Sequence, residues 1–215
     1  VVKTDVAETD MAPSRPRRAD ATRNRAALVA AARRVFERDG YVRARITDIA
    51  DEAGVAHGSF YSHFDGKEEI FAAVMAEVEE EMLHPGPALT AAGGDPVAVI
   101  AAANLAYLEA YCRNARLMAL LEQVATVNED FRDLRLQRTA AFLARNARAI
   151  RRLQEAGLAD QELDADLASL ALSSMMSRSA YVAFVLDRAP GGPADTHRLA
   201  DTLTRLWVNA LRITE

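Results

Sequence analysis

The stretch that decides the fold is residues 46–69, ITDIADEAGVAHGSFYSHFDGKEE. Ile46, Ile49, Ala50 and Ala53 recur at helical spacing and mark a short helix, with Thr47 near its N-terminus. Gly54 ends that helix where a left-handed or tight backbone is needed, and Val55 plugs the space before the next. A second short segment, about residues 58–64, carries Phe60 and Phe64 four apart, so both rings fall on one inward face. Two short helices joined by a glycine-containing turn form a helix-turn-helix, whose second member fits a duplex major groove about 12 Å wide. Asp65, with Glu68 three residues later, then offers a carboxylate capping pattern for a following helix.

Working outward, Leu28, Ala31, Ala32, Val35 and Phe36 place a helix over 21–39, stopped at Gly40. Downstream, Phe71, Val74, Met75, Val78 and Met82 form the buried stripe of a long helix that ends at His84-Pro85-Gly86-Pro87. Asp95-Pro96 reads as N-cap plus first-turn proline of a helix to about Arg113. Further helices fit 115–126, 129–156 with Gly157 as its stop, 164–188 and 195–213, the last two flanking the breaker Ala189-Pro190-Gly191-Gly192-Pro193. About nine helices result, without repeats, and half of the residues are hydrophobic while only 6% are aromatic, so strand formers never cluster. An all-α protein is expected. Residues 1–19 mix Pro, Ser, Arg and acidic residues without periodicity and read as a flexible arm, with Met11 a candidate native start.

The net charge of −5 argues against a nucleic-acid partner only until its distribution is considered. Residues 11–67 hold eleven basic and seven acidic side chains, whereas residues 68–215 hold fourteen and twenty-one. A basic head on an acidic body suits a protein that touches phosphates at one end. Cys112 is the lone cysteine, which rules out an intrachain disulfide or a cysteine-rich metal site and fits a reducing cytoplasm. No uninterrupted apolar run approaches membrane-spanning length, and no secretory leader pattern opens the chain, so a cytoplasmic location without membrane contact is expected.

The run from Thr47 through Ile49-Ala50, Gly54-Val55, Gly58, Phe60-Tyr61, His63-Phe64 and Lys67-Glu68 resembles the DNA-binding domain of the TetR family of bacterial transcriptional regulators. Phe60 stands where leucine is common in that family, and His57-Gly58 occupies a variable part of the recognition turn. The resemblance implies three parts: the arm 1–19, a helix-turn-helix domain 20–67, and a ligand-binding and dimerisation domain 68–215. It implies that Tyr61 and His63 contact the DNA backbone, with Lys67 adding a point charge. Base reading then falls to His57, Gly58 and Ser59, with Ser62 able to join them. Thr47 has two readings, a phosphate contact at a helix N-terminus or a simple cap. Arg15, Arg17 and Arg18 either follow a phosphate track or are merely solvated. His57 and His63 are six apart, not the four that puts two imidazoles on one helical face, so no metal is expected there, and His84 and His197 are isolated beside breakers.

In the resembled family the larger domain houses an effector cavity, and its last two helices pair with those of a second subunit. The helix from Asp164 is rich in small and sulfur residues that permit close approach, and the last helix offers Leu199, Leu203, Leu206, Trp207, Ala210 and Leu211 as a stripe. Trp207 is either an interface anchor or core. Asn104, Tyr107 and Tyr111 share a helix face, and Met118, Glu122, Phe131, Phe142, Met175, Arg178 and Tyr181 are candidates for facing walls of a cavity for an apolar effector with one polar or anionic end. The series Arg132, Arg135, Arg138, Arg145, Arg148, Arg151 and Arg152 is expected to be an exposed, salt-bridged face, unless part of it holds an acyl-coenzyme A phosphate. One recognition helix reads few bases, so a homodimer with half-sites about 34 to 36 Å apart on a near-palindromic double-stranded operator is expected. No phosphate-cradling glycine loop, H-E-x-x-H pair or nucleophile elbow supports an enzyme, and no cofactor is implied. A ligand-sensing or protein-binding module without operator binding, and an activator rather than a repressor, are the alternative functions.

Overall fold

The computed structural model describes residues 15–83, 94–186 and 193–213. Among them are eight α-helices and one π-helical turn, without a strand, so the chain is all-α as its composition predicts. It divides into two compact units after Val74.

The first unit begins with α1 (Arg15–Arg43), which takes in the last residues of the expected arm; residues 1–14 lie outside the described residues. Gly40 is the predicted stop: its φ of 77° and ψ of 165° break the helix, and one further turn follows to Arg43. The short α2 (Ile46–Ala53) ends at Gly54, whose φ of 68° turns the chain so that Val55 N–H donates to the Ala50 carbonyl at 3.1 Å. Then α3 (His57–Phe60) gives way to a tight turn in which His63 N–H and Phe64 N–H both donate to the Phe60 carbonyl, at 2.9 and 3.0 Å. The turn delivers Phe64 inward, and Phe60 and Phe64 are both fully buried, with ring centroids 5.8 Å apart. Leu28, Ala31, Ala32, Val35 and Phe36 of α1 complete this core with Ile49 and Ala50 of α2. Burying one such phenylalanine stabilises by about 1.5 to 3 kcal/mol, which fixes α3 far more firmly than its few backbone hydrogen bonds do.

The fourth helix, α4 (Lys67–Leu83), starts under two side-chain devices. Glu69, not the expected Glu68, reaches back to accept the Asp65 N–H at 2.6 Å. Glu68 instead accepts the Tyr41 hydroxyl at 2.9 Å, and burial, reinforced by that bond, raises the Tyr41 phenol well above its ordinary pKa. The Lys67 ammonium lies 4.7 Å over the Tyr41 ring and donates to the Val42 and Ala44 carbonyls at 3.4 and 3.3 Å. Tyr41 in turn packs on Phe71, whose ring meets Phe36 edge-on at 5.0 Å. Lys67 therefore ties the end of α1 and the residue after it to the start of α4.

The second unit is built on α5 (Pro96–Ala125), one continuous helix where two were expected with a break near Asn114. Nothing at that point breaks a helix: Asn114 is fully buried and donates to the Ala110 carbonyl and to Glu81 Oε2, both at 2.8 Å. Asp95 caps α5 as predicted, accepting from Val97 and Ala98, with Pro96 in the first turn. α6 (Glu129–Glu155) is capped by Asn128 and ends near Gly157, at φ 71°; α7 (Ala165–Tyr181) is capped by Asp164 and continues into the π-helical turn Val182–Leu186; α8 (Pro193–Leu211) closes the fold. α5 packs on α6, α7 and α8, while α6 and α7 pair with each other. Trp207 is buried within this core, with Leu203 and Leu211 of the same helix, which answers the question of anchor or core in favour of core.

Gly54→Ala is expected to destabilise the first unit by about 1 to 2 kcal/mol. No atom lies within 4 Å of an added Cβ, so the cost is purely that of a left-handed backbone. Gly58 has equally open surroundings but ordinary helical backbone, so Gly58→Ala is expected to stabilise by up to about 1 kcal/mol. Urea unfolding of the two variants gives the comparison, and shifts of the same sign would contradict it. Lys67→Ala is expected to cost about 1 kcal/mol in the same assay, from the lost cation–ring and carbonyl contacts. An unchanged unfolding midpoint would show that these contacts are not held in solution.

Candidate functional site

Two groups of residues stand out, one in each unit. In the first, Thr47, His57, Gly58, Tyr61 and Ser62 are exposed, while Ser59, His63 and Lys67 are half-buried. They come from the front of α2, from α3 and its turn, and from the start of α4. Tyr61 keeps 54% of its surface although its neighbour Phe60 keeps none, and the imidazole of His57 meets the Tyr61 ring edge-on at 5.9 Å. The contrast follows from period: Phe60 and Phe64 take the inward face and Tyr61 and Ser62 are left outside. Thr47 does not cap α2. The helix begins at Ile46, its N-cap Arg45 makes no side-chain cap, and the Thr47 hydroxyl donates only to Asp48 Oδ1 at 3.4 Å. This leaves the first amide groups of α2 without a side-chain cap, next to an exposed hydroxyl and an exposed guanidinium. Arg45, a basic residue directly before this helix N-terminus, is a further candidate that the sequence reading does not include.

Other basic residues of this unit serve the fold. Arg34 and Arg38 both reach Glu52, at 2.8 and 3.4 Å, joining α1 to α2, and Arg34 leads the influences that hold the Glu52 carboxyl below its usual range. Arg25 lies 4.9 Å over the Phe64 ring. The side chains of Arg15, Arg17 and Arg18 lie outside the described residues.

In the second unit, α4 to α7 line a cavity of about 430 Å³. Seven of the ten expected residues meet there: Tyr107, Tyr111, Met118, Glu122, Phe142, Arg178 and Tyr181. Asn104 does not line it; its side chain donates to Thr204 Oγ1 at 3.1 Å and joins α5 to α8. Met175 also stands outside, because its neighbours Ser174 and Ser173 turn toward the cavity in its place, and Phe131 is buried elsewhere. The expectation of a wholly exposed arginine face on α6 is corrected. Arg135 and Arg138 line the cavity, and the Arg138 side chain retains only 11% of its surface. Residues 135, 138 and 142 lie at i, i+3 and i+7, so the position of Phe142 in the wall already implied those arginines.

Arg138 pairs with Glu79 at 3.5 Å and Arg135 with Glu122 at 3.2 Å. Burial lowers the Arg138 pKa and, for Tyr107 and Tyr111, raises the phenol pKa, so both tyrosines stay hydroxyl donors at neutral pH. The Tyr107 and Phe142 rings lie 5.1 Å apart. The arrangement offers aromatic walls, thioethers and a few charged groups. Among the described residues, no three His, Cys, Asp or Glu side chains gather as a metal site.

Residues 28–74 match the family model for bacterial regulatory proteins of the tetR family. The HTH-type transcriptional regulator TtgR of Pseudomonas putida is 30% identical over 166 residues, covering 71% of this chain and 76% of that protein. Among solved structures, a TetR-family regulator from Rhodococcus sp. superposes with a TM-score of 0.72 at 18% identity, covering 88% of this chain and 98% of that one. SmeT, the repressor of the Stenotrophomonas maltophilia multidrug efflux pump SmeDEF, gives 0.69 at 22% identity over 89% and 91%. With its helix-turn-helix, its all-α second unit and these likenesses, the chain belongs to the TetR family of DNA-binding transcriptional regulators.

Proposed function

We propose that the protein is a homodimeric, cytoplasmic repressor that holds a near-palindromic operator through α2 and α3 and lets go when a small, largely apolar effector enters the cavity of the second unit. The observation that carries the DNA reading is the sorting of side chains along α3 and its turn: Phe60 and Phe64 are inside, and Tyr61, Ser62, His57 and Gly58 face solvent. Tyr61 and His63 then hold phosphates, the α2 amides with Thr47 and Arg45 hold another, and His57, Gly58, Ser59 and Ser62 meet base edges. Lys67 gives its charge to the same phosphate track while tied to the Val42 and Ala44 carbonyls. The repressor reading draws on SmeT, named a repressor, and on the cavity.

Release requires that the effector bind better to a form whose recognition elements are wrongly spaced. α4 is suited to carry that difference, because its unbroken helix bears Lys67 at one end and the cavity residues Glu79 and Met82 near the other. Dimerisation is supported by apolar surface that one chain leaves bare. Only 28% of the most apolar window in Ala165–Leu186 is buried, and Leu167, Leu170, Val182, Leu186 and, on α8, Leu206 are exposed. A second copy of α7 and α8 would cover such a face.

Anisotropy titration on a duplex selected from a random pool tests the DNA contacts. Tyr61→Ala is expected to weaken binding about tenfold without altering the slope of affinity against salt, since a phenol releases no counterion, whereas Arg45→Ala is expected to reduce that slope by about one. Unchanged affinity for Tyr61→Ala would reject the backbone contact. Leu206→Asp, on exposed surface, is expected to leave helix content intact and shift sedimentation from dimer toward monomer. A fully dimeric variant would move the interface away from α8.

A further inference from the structure

The cavity wall is not electrically neutral. It holds three arginines, Arg135, Arg138 and Arg178, against two glutamates, Glu79 and Glu122. Both glutamates already have a guanidinium partner, so a cation entering the cavity would find no unmatched carboxylate. The two paired arginines are not fully satisfied in return. Nη1 of Arg138 and Nε of Arg135 are buried and have no hydrogen-bond partner among the described residues. A guanidinium has donors and no acceptor, so only an acceptor completes it, and a charged acceptor forms the stronger bond. The rest of the wall, Tyr107, Tyr111, Phe142 and Tyr181 with Met82 and Met118, suits a flat apolar body.

Resting on the reading of this cavity as the effector site, we propose that its ligand is an aromatic monocarboxylate whose carboxylate accepts from the Arg138 and Arg135 guanidinium groups. One negative charge balances the single excess positive charge of the wall; a phosphate monoester, with about two, would overshoot it. Burial lowers the Arg138 pKa, which is the strain that an incoming anion relieves. The partners Glu79 and Glu122 hold the two guanidinium groups in place in the meantime, while competing with the ligand for them.

The test is calorimetric titration of the full-length protein with three probes of one shape: naphthoate, naphthamide and naphthylmethylammonium. Naphthoate is expected to bind about tenfold tighter than naphthamide, and the ammonium least tightly. Arg138→Met is expected to abolish the preference for acid over amide while the amide still binds, which also shows that the variant is folded. Glu79→Gln provides the independent check, because removing the competing carboxylate is expected to tighten naphthoate several-fold. Equal affinity for acid and amide, a preference for the ammonium, or an acid preference that survives Arg138→Met would each overturn the proposal. If the amide binds and loosens the operator complex without any acid preference, the effector cavity stands and the carboxylate assignment falls. If none of the three probes binds, both fall.

Discussion

Nucleating a helix fixes about three residues for one hydrogen bond, so a four-residue helix cannot persist on its own, and α3 exists because Phe60 and Phe64 are anchored beneath it. The rest of the first unit serves that anchorage. Gly54 sets the turn that aims α3, Glu52 is held by Arg34 and Arg38 so that α2 cannot swing away from α1, and Lys67 clamps carbonyls at the end of α1 and just after it. A surface read by a partner must be stiff if its few contacts are to add up, and here stiffness comes from aromatic packing rather than from helix length.

The second unit is built differently. Buried ion pairs rarely gain stability over apolar groups of similar volume, and a buried nitrogen without a partner costs about 1 to 3 kcal/mol. Arg138 beside Glu79, with Nη1 unmatched, is therefore poor construction for a core. It is reasonable construction for a cavity, where an entering ligand would remove the deficit. The two buried asparagines show the usual solution, although Trp207 Nε1 in the core has no partner among the described residues: Asn114, fully buried, has both a carbonyl and a carboxylate to donate to, and Asn104 has Thr204.

Most of the first unit was legible because its determinants are local. Gly40 and Gly54 stop helices by backbone geometry alone, and the four-residue spacing of Phe60 and Phe64 fixes the inward face. The cavity was partly legible for the same reason, since Tyr107 and Tyr111 share a face whatever packs on it. What escaped were decisions made between distant elements. Glu68 had the right spacing for a cap but was taken by Tyr41, twenty-seven residues earlier, leaving the task to Glu69. Asn104 had the right face but found Thr204, one hundred residues on. Arginines read as solvated by composition became cavity wall because Phe142, on their face, is wall too. The boundary expected near Asn114 does not exist because that side chain finds its partners inside the fold, and the helix runs on through it.

Eleven basic residues between positions 11 and 67 suggest a strong electrostatic hold on DNA, yet many are committed to the fold. Arg34 and Arg38 face Glu52, Arg33 faces Glu37, Arg23 faces Asp20, Arg25 covers Phe64, and Lys67 is shared with two carbonyls. An internally neutralised guanidinium releases fewer counterions than its formal charge implies, so the first unit offers phosphates less charge than its composition advertises. On the proposed DNA reading, neutral donors would then carry a larger share of the contact: the Tyr61 hydroxyl, Thr47 and the uncapped amides at the start of α2. Such contacts depend on geometry more than on salt, and geometry is what an effector that shifts the spacing of two recognition elements can change. A site held mainly by charge would tolerate the same displacement, because Coulomb attraction falls off slowly with distance where hydrogen bonds fail within a fraction of an ångström.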